Sequence, residues 1–163
     1  GFLTMAFESY EKVVGTVQEI SRGDSCCTQM LSLMTEGGLV HVILSPETRV
    51  IDSVRIRRGM RIAAFYDVNL PTPTVFPPRY RAELITSLRR DQNVVLEYFD
   101  ANLLAEDNSL QLNLGPLTNV VTANGQRYTC NPGNMELLVY YTITTFSIPP
   151  QTTPQKIVVM CPE

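Results

Sequence analysis

The chain has 163 residues, 44% of them hydrophobic and only 18% charged, which excludes a disordered polymer and leaves room for one domain or two small ones. The formal net charge of -3 argues against a general nucleic-acid binder, because phosphate contacts need clustered Lys and Arg. No apolar run approaches the roughly 20 residues of a membrane-spanning helix, and neither a leader-like N-terminus nor a C-x-x-C pair occurs.

In chain order, Phe2 to Tyr10 is the best short helical candidate, and Lys12 to Ile20 predicts the first strand. The cysteines Cys26, Cys27, Cys130 and Cys161 read as reduced structural thiols, since a free Cys is usually a buried apolar residue. Glu36-Gly37-Gly38 marks a hairpin turn, after which Val40, Val42 and Leu44 alternate with Leu39, His41 and Ile43. A two-residue period buries one face of a strand and leaves the other more polar. Gly59 precedes an apolar run ending in Phe65-Tyr66, and Pro77-Pro78 belongs to the loop before a closing strand, Ala82 to Leu88.

The same order recurs. Leu110, Leu112 and Leu114 alternate with Gln111 and Asn113 after a turn at Asp107-Asn108. Leu44, Pro46, Thr48 and Val50 fall on Leu114, Pro116, Thr118 and Val120 at an offset of 70. Asn124-Gly125 signals a type I′ hairpin, which needs positive φ at both residues. Gly133 leads into Tyr140-Tyr141 as Gly59 leads into Phe65-Tyr66, and one aromatic of each pair belongs in the core. Pro149-Pro150 precedes the strand Lys156 to Cys161. The expected architecture is all-β: tandem duplicated OB-like small barrels, with repeats at 10–90 and 91–163. The second begins so soon after Ala82 to Leu88 that this strand is expected to close the first barrel and open the second.

Thr48-x-Val50, Gly59-Met60-x-Ile62 with Phe65-Tyr66, and Pro77-Pro78-x-Tyr80-x-Ala82 with Ile85 together resemble an OB-like repeat of uncharacterised bacterial proteins. Some of those carry it beside copper-amine-oxidase N-terminal-like domains of the cell exterior. The resemblance covers most of the first repeat and the C-terminal part of the second, where Pro154 stands at the Ala82 position. It implies a fold and no activity.

No phosphate-loop, dinucleotide or calcium-loop pattern occurs, and Glu106-Asp107-Asn108 reads as a hairpin tip. His41 is the only histidine and reads as a solvated strand residue. The charge distribution is more informative. Arg55, Arg57, Arg58, Arg61, Arg79, Arg81, Arg89 and Arg90 stand against Asp67 and Glu83, a local net of +6, whereas Asp91 to Glu163 carries -5. Arg55, Arg57, Arg58, Arg61, Tyr66, Arg79, Tyr80 and Arg81 form the candidate ligand face, because guanidinium forks onto carboxylate or phosphate and stacks on aromatic rings. The plainer reading leaves these arginines solvated or facing acidic protein.

The expected function is a non-catalytic binding or structural module without cofactor or metal, meeting a protein partner or a second copy of itself. An OB-type single-stranded nucleic-acid binder is the alternative. The unpaired cysteines and the lack of a visible leader favour the cytoplasm, and removal of a leader would favour the cell exterior instead.

Overall fold

Short apolar alternations broken by Gly, Pro and Asn yield strands almost throughout. A computed structural model describes residues 5–162 and has no α-helix among them, only a single 3₁₀ turn at Ile51–Ser53. The chain is all-β and divides into two compact units: residues 9–90, and residues 91–162 together with 5–8.

The first unit contains β1 (Tyr10–Arg22), β2 (Gln29–Thr35), β3 (Gly38–Leu44), β4 (Arg49–Val50), β5 (Arg61–Asp67), β6 (Arg79–Arg81) and β7 (Leu84–Ser87). They form one sheet in the order β4-β7-β5-β1-β2-β3-β6. The long β1 serves two neighbours. Its first half pairs with β5 and its second half with β2, and the β1–β2 register shifts between Val17 and Glu19. A bulge of this kind bends a strand, so its two halves can follow different partners. Gly15 sits where the two pairings meet, and a Cβ there would lie only 2.5 Å from the Met34 carbonyl oxygen. Val17, Leu31, Leu33, Val42, Ile62 and Ile85 point inward as the core, with Tyr80 packed against it.

The second unit contains β8 (Asn93–Phe99), β9 (Gln111–Leu112), β10 (Asn119–Thr122), β11 (Met135–Tyr141), β12 (Gln151–Thr152) and β13 (Lys156–Val159). Four of these form a sheet ordered β10-β13-β11-β8, and β9 pairs with β12 in parallel. Phe99, Leu110, Leu112, Leu137, Val139 and Ile157 make its core. Residues 5–8 belong here through Glu136. Its carboxylate accepts the amides of Ala6 at 2.7 Å and Phe7 at 2.9 Å. Burial pushes the Glu136 carboxyl up from its ordinary range, and these two hydrogen bonds pull it only partly back.

The two units repeat one hydrogen-bond scheme. Thr48 Oγ1 accepts from the Ser45 amide at 3.0 Å and donates to the Ala82 carbonyl at 2.8 Å. Thr118 Oγ1 accepts from the Gly115 amide at 3.1 Å and donates to the Pro154 carbonyl at 2.7 Å. The His41 amide donates to Pro78 O, as the Gln111 amide does to Pro150 O. The Leu88 amide reaches Arg61 O, and the Met160 amide reaches Glu136 O. The main difference is the β2–β3 hairpin. In the second unit, residues 100–110 make a short excursion held by the isolated bridges Phe99↔Ala105 and Leu104↔Gln111.

Several expectations are corrected. Strand pairing closes no barrel, and the seven-stranded sheet ends on β4 and β6. Ala82 to Leu88 is not shared: β7 pairs with β4 and β5, while the second unit opens with its own β8. The Phe2 to Tyr10 candidate lies partly outside the described residues, and Met5 to Ser9 makes a turn. Asn124-Gly125 is not type I′, because only Gly125 has positive φ; the Gly125 amide bonds Thr122 O, so a turn with a left-handed glycine closes the bend. All four cysteines are exposed and free, so they are not core residues. His41 is half-buried rather than fully solvated.

The left-handed residue before the buried strand sits one place later in the second unit than Gly133. Gly59 has φ +87°, but Gly133 is not in the left-handed region, and Asn134 at φ +59° occupies the matching place before β11. Gly133 is instead crowded, since a Cβ there would lie 3.0–3.1 Å from Asn131 Oδ1, Ala101 Cα and Asp100 O. Gly59→Val and Asn134→Val should therefore each cost about 1–2 kcal/mol in urea unfolding, and Asn134→Gly should cost nothing. Equal stability of Gly59→Val and the parent would refute the turn assignment. Thr48→Val should cost about 1–3 kcal/mol by stranding the Ser45 amide and the Ala82 carbonyl. Thr118→Val should cost less, because Thr118 is only half-buried whereas Thr48 is buried.

Candidate functional site

The loop at residues 54–60 enters β5 and carries Arg55, Arg57 and Arg58. Buried Ile56 anchors it, the Gly59 amide donates to Val17 O at 2.8 Å, and the Val17 amide donates to Met60 O at 2.8 Å. With Ile56 inward, its neighbours Arg55 and Arg57 are exposed, as is Arg58. Arg58 Nε donates to the Gln18 carbonyl at 3.1 Å. Gln18 lies at the register break of β1, and the guanidinium takes up its carbonyl. Arg61 opens β5 half-buried and donates to the Arg89 carbonyl at 3.1 Å.

Arg79, Tyr80 and Arg81 form β6 at the sheet edge, in parallel register with His41, Val42 and Ile43. Tyr80 turns toward the core while Arg79 and Arg81 are exposed. The Tyr80 ring stacks on Tyr66 with centroids 4.3 Å apart and an interplanar angle of 28°. Burial, then Tyr80 and Glu11, push the Tyr66 hydroxyl above its ordinary pKa. Arg81 meets Glu47 at 3.0 Å, but both side chains are more than half exposed, so the pair adds little stability.

The eight residues therefore make two groups. Arg61 and Tyr66 are five residues apart on β5, roughly 17 Å at strand rise. Arg55, Arg57, Arg58 and Arg61 cluster at one end of that strand, and Tyr66, Arg79, Tyr80 and Arg81 at the other. No carboxylate among the described residues pairs with Arg55, Arg57 or Arg79.

The outer face of β1, β2 and β3 adds residues that sequence reasoning missed. Gln18, Glu19, Ser32, Met34, Leu39 and Arg58 line an open hollow of about 470 Å³. Met34 and Leu39 face each other across the β2–β3 pairing and remain 47% and 37% exposed. The signal was present in both strands, QMLSLMT and GLVHVIL, which carry apolar residues on their outer as well as inner faces. Arg58 joins this hollow to the exposed arginine loop. The arrangement offers an apolar floor and a polar wall that carries both the Glu19 carboxylate and the Arg58 guanidinium, with exposed Arg55 and Arg57 beside it.

Among the described residues no group of three or more His, Cys, Asp or Glu is placed to hold a metal ion, and no helix is long and apolar enough to cross a membrane. No protein-family model matches the chain, and no curated protein matches it.

Proposed function

We propose that the chain is a non-catalytic binding module made of two OB-like repeats, and that the arginine-flanked hollow of the first unit takes an acidic protein surface. One observation carries the binding site: Arg58 walls a hollow floored by Met34 and Leu39, beside Arg55 and Arg57, which have no carboxylate partner. The apolar floor suits an inserted side chain, and the spare guanidinium groups suit carboxylates around it.

The OB-like reading is supported by the pairing of the first unit. β1, β2 and β3 form a meander, β5 lies on the other side of β1, and residues 79–87 run along β3 and then β5. OB folds are five-stranded and partly open. The Thr48 and Thr118 bonding schemes support reading the units as repeats of one ancestral unit.

A second reading is single-stranded nucleic acid, favoured by the Tyr66–Tyr80 stack beside Arg79 and Arg81. It ranks lower because Tyr80 is packed against the core and its face toward Tyr66 is occupied.

Replacing Arg55, Arg57 and Arg58 together with Glu should change stability by less than about 1 kcal/mol, because all three are exposed. The same variant should leave a polyanionic resin at clearly lower salt than the parent; unchanged elution would remove the arginine face from consideration. Fluorescence anisotropy with mixed-sequence single-stranded DNA and RNA separates the two readings. No micromolar binding at low salt is expected. Binding that weakens with salt and vanishes in the triple variant would put nucleic acid first.

A further inference from the structure

The loop between β11 and β12 presents its apolar side chains outward. Ile143 is 79% exposed, and Phe146 and Ile148 are fully exposed. Scattered surface apolar residues are ordinary, but three large ones within six residues of one loop are not. No charged residue occurs between Glu136 and Lys156.

Part of the loop's polar set is bonded within the unit. The Thr145 amide donates to Gln151 O at 2.9 Å, and the Gln151 amide donates to Thr145 Oγ1 at 3.0 Å. Thr145 Oγ1 and Ser147 Oγ lie 2.6 Å apart, Ser147 Oγ donates to Pro149 O, and Thr152 Oγ1 donates to Ile143 O. Pro149 and Pro150 have no amide hydrogen to satisfy. The amides of Thr144, Phe146, Ser147 and Ile148 have no hydrogen-bond partner among the described residues, so the tip suits a hydrated zone in which water or headgroup oxygens meet them rather than a dry core.

We propose that the tip of this loop, Ile143, Phe146 and Ile148, inserts into the interfacial zone of a zwitterionic phospholipid bilayer. The first unit indicates why lipid fits better than a shaped protein pocket. Its loop between β5 and β6 spans residues 68–78, is also uncharged, and exposes Val68, Leu70, Val75 and Phe76, the last by 94%. The two loops differ in length and in the spacing of their apolar residues. They share apolarity and lack of charge, the properties a fluid apolar phase reads, rather than a shape that a pocket reads. Neither loop carries a charge of its own, so neither builds in an attraction to anionic headgroups, and a zwitterionic surface suffices.

The chain contains no Trp, so Phe146→Trp in the full chain creates a single reporter. Phosphatidylcholine vesicles should shift its emission to the blue, brominated phosphatidylcholine should quench it, and raised salt should leave both effects intact. Adding Ile143→Ser and Ile148→Ser should weaken partitioning roughly tenfold per substitution, with an unchanged urea midpoint because both positions are exposed. No shift at millimolar lipid would overturn the proposal. So would a shift that needs phosphatidylserine and disappears in salt, or one that grows with protein concentration in the absence of lipid, which would identify a second copy of the chain as the occupant.

Discussion

Residues 79–87 have to serve two different neighbours with one stretch of backbone. The first part runs parallel to β3 and the last part antiparallel to β5, so the run breaks at Ala82-Glu83. A break inside a sheet normally strands amides and carbonyls. Here all four are taken up. The Ala82 amide reaches Ile43 O and the Glu83 amide reaches Phe65 O, while Thr48 Oγ1 donates to Ala82 O and the Arg49 amide to Glu83 O. The hydroxyl at position 48 thus holds the point on which the topology of the first unit turns. The second unit solves the same problem with one group fewer. Pro154 has no amide to satisfy, Thr118 serves its carbonyl, and Gln155 bonds Tyr140 O and accepts from the Asn119 amide. The proline that departs from the first unit's pattern is therefore compatible with the break, because what the break needs there is a carbonyl.

The arginine display follows from a second irregularity. The register shift in β1 lets one strand meet both β5 and β2, and Arg58 takes up the Gln18 carbonyl at that shift. Ile56 and the Gly59–Val17–Met60 bonds fix the rest of the loop. The positive charge is thus held on a pinned loop rather than on a mobile one, which lowers the ordering cost of binding.

Much of the fold was legible because strand and turn chemistry is local. The alternation in Val40–Val42 and the turn at Glu36-Gly37-Gly38 are both visible in the residues. What failed depended on geometry that spacing alone does not fix. Gly133 and Asn134 both suit left-handed backbone by residue type, and only the pairing of β11 tells which one needs it. The shared-strand idea failed because Asn93–Phe99 reads as a plausible strand of its own only when its partner β11 is known. The candidate face rests on residue type, arginine beside tyrosine, which does not fix position along a strand, so it spans residues at opposite ends of β5. It also omitted Met34 and Leu39, since an apolar residue on the outer face of a strand looks the same in sequence as one in the core.

Charge and shape separate together between the two units. The hollow needs a full β2–β3 hairpin, because Ser32, Met34 and Leu39 all lie on it. The second unit replaces that hairpin with the short excursion at residues 100–110, and its matching position to Arg61 is Glu136, whose carboxylate is occupied by the Ala6 and Phe7 amides. The floor of the hollow therefore does not recur there. The uncharged apolar loops, by contrast, occur in both units, at the same step between the strand that neighbours β1 or β8 and the short strand that follows. An uncharged loop with exposed apolar residues thus accompanies the step that both units share, and the hollow accompanies the hairpin of the first unit.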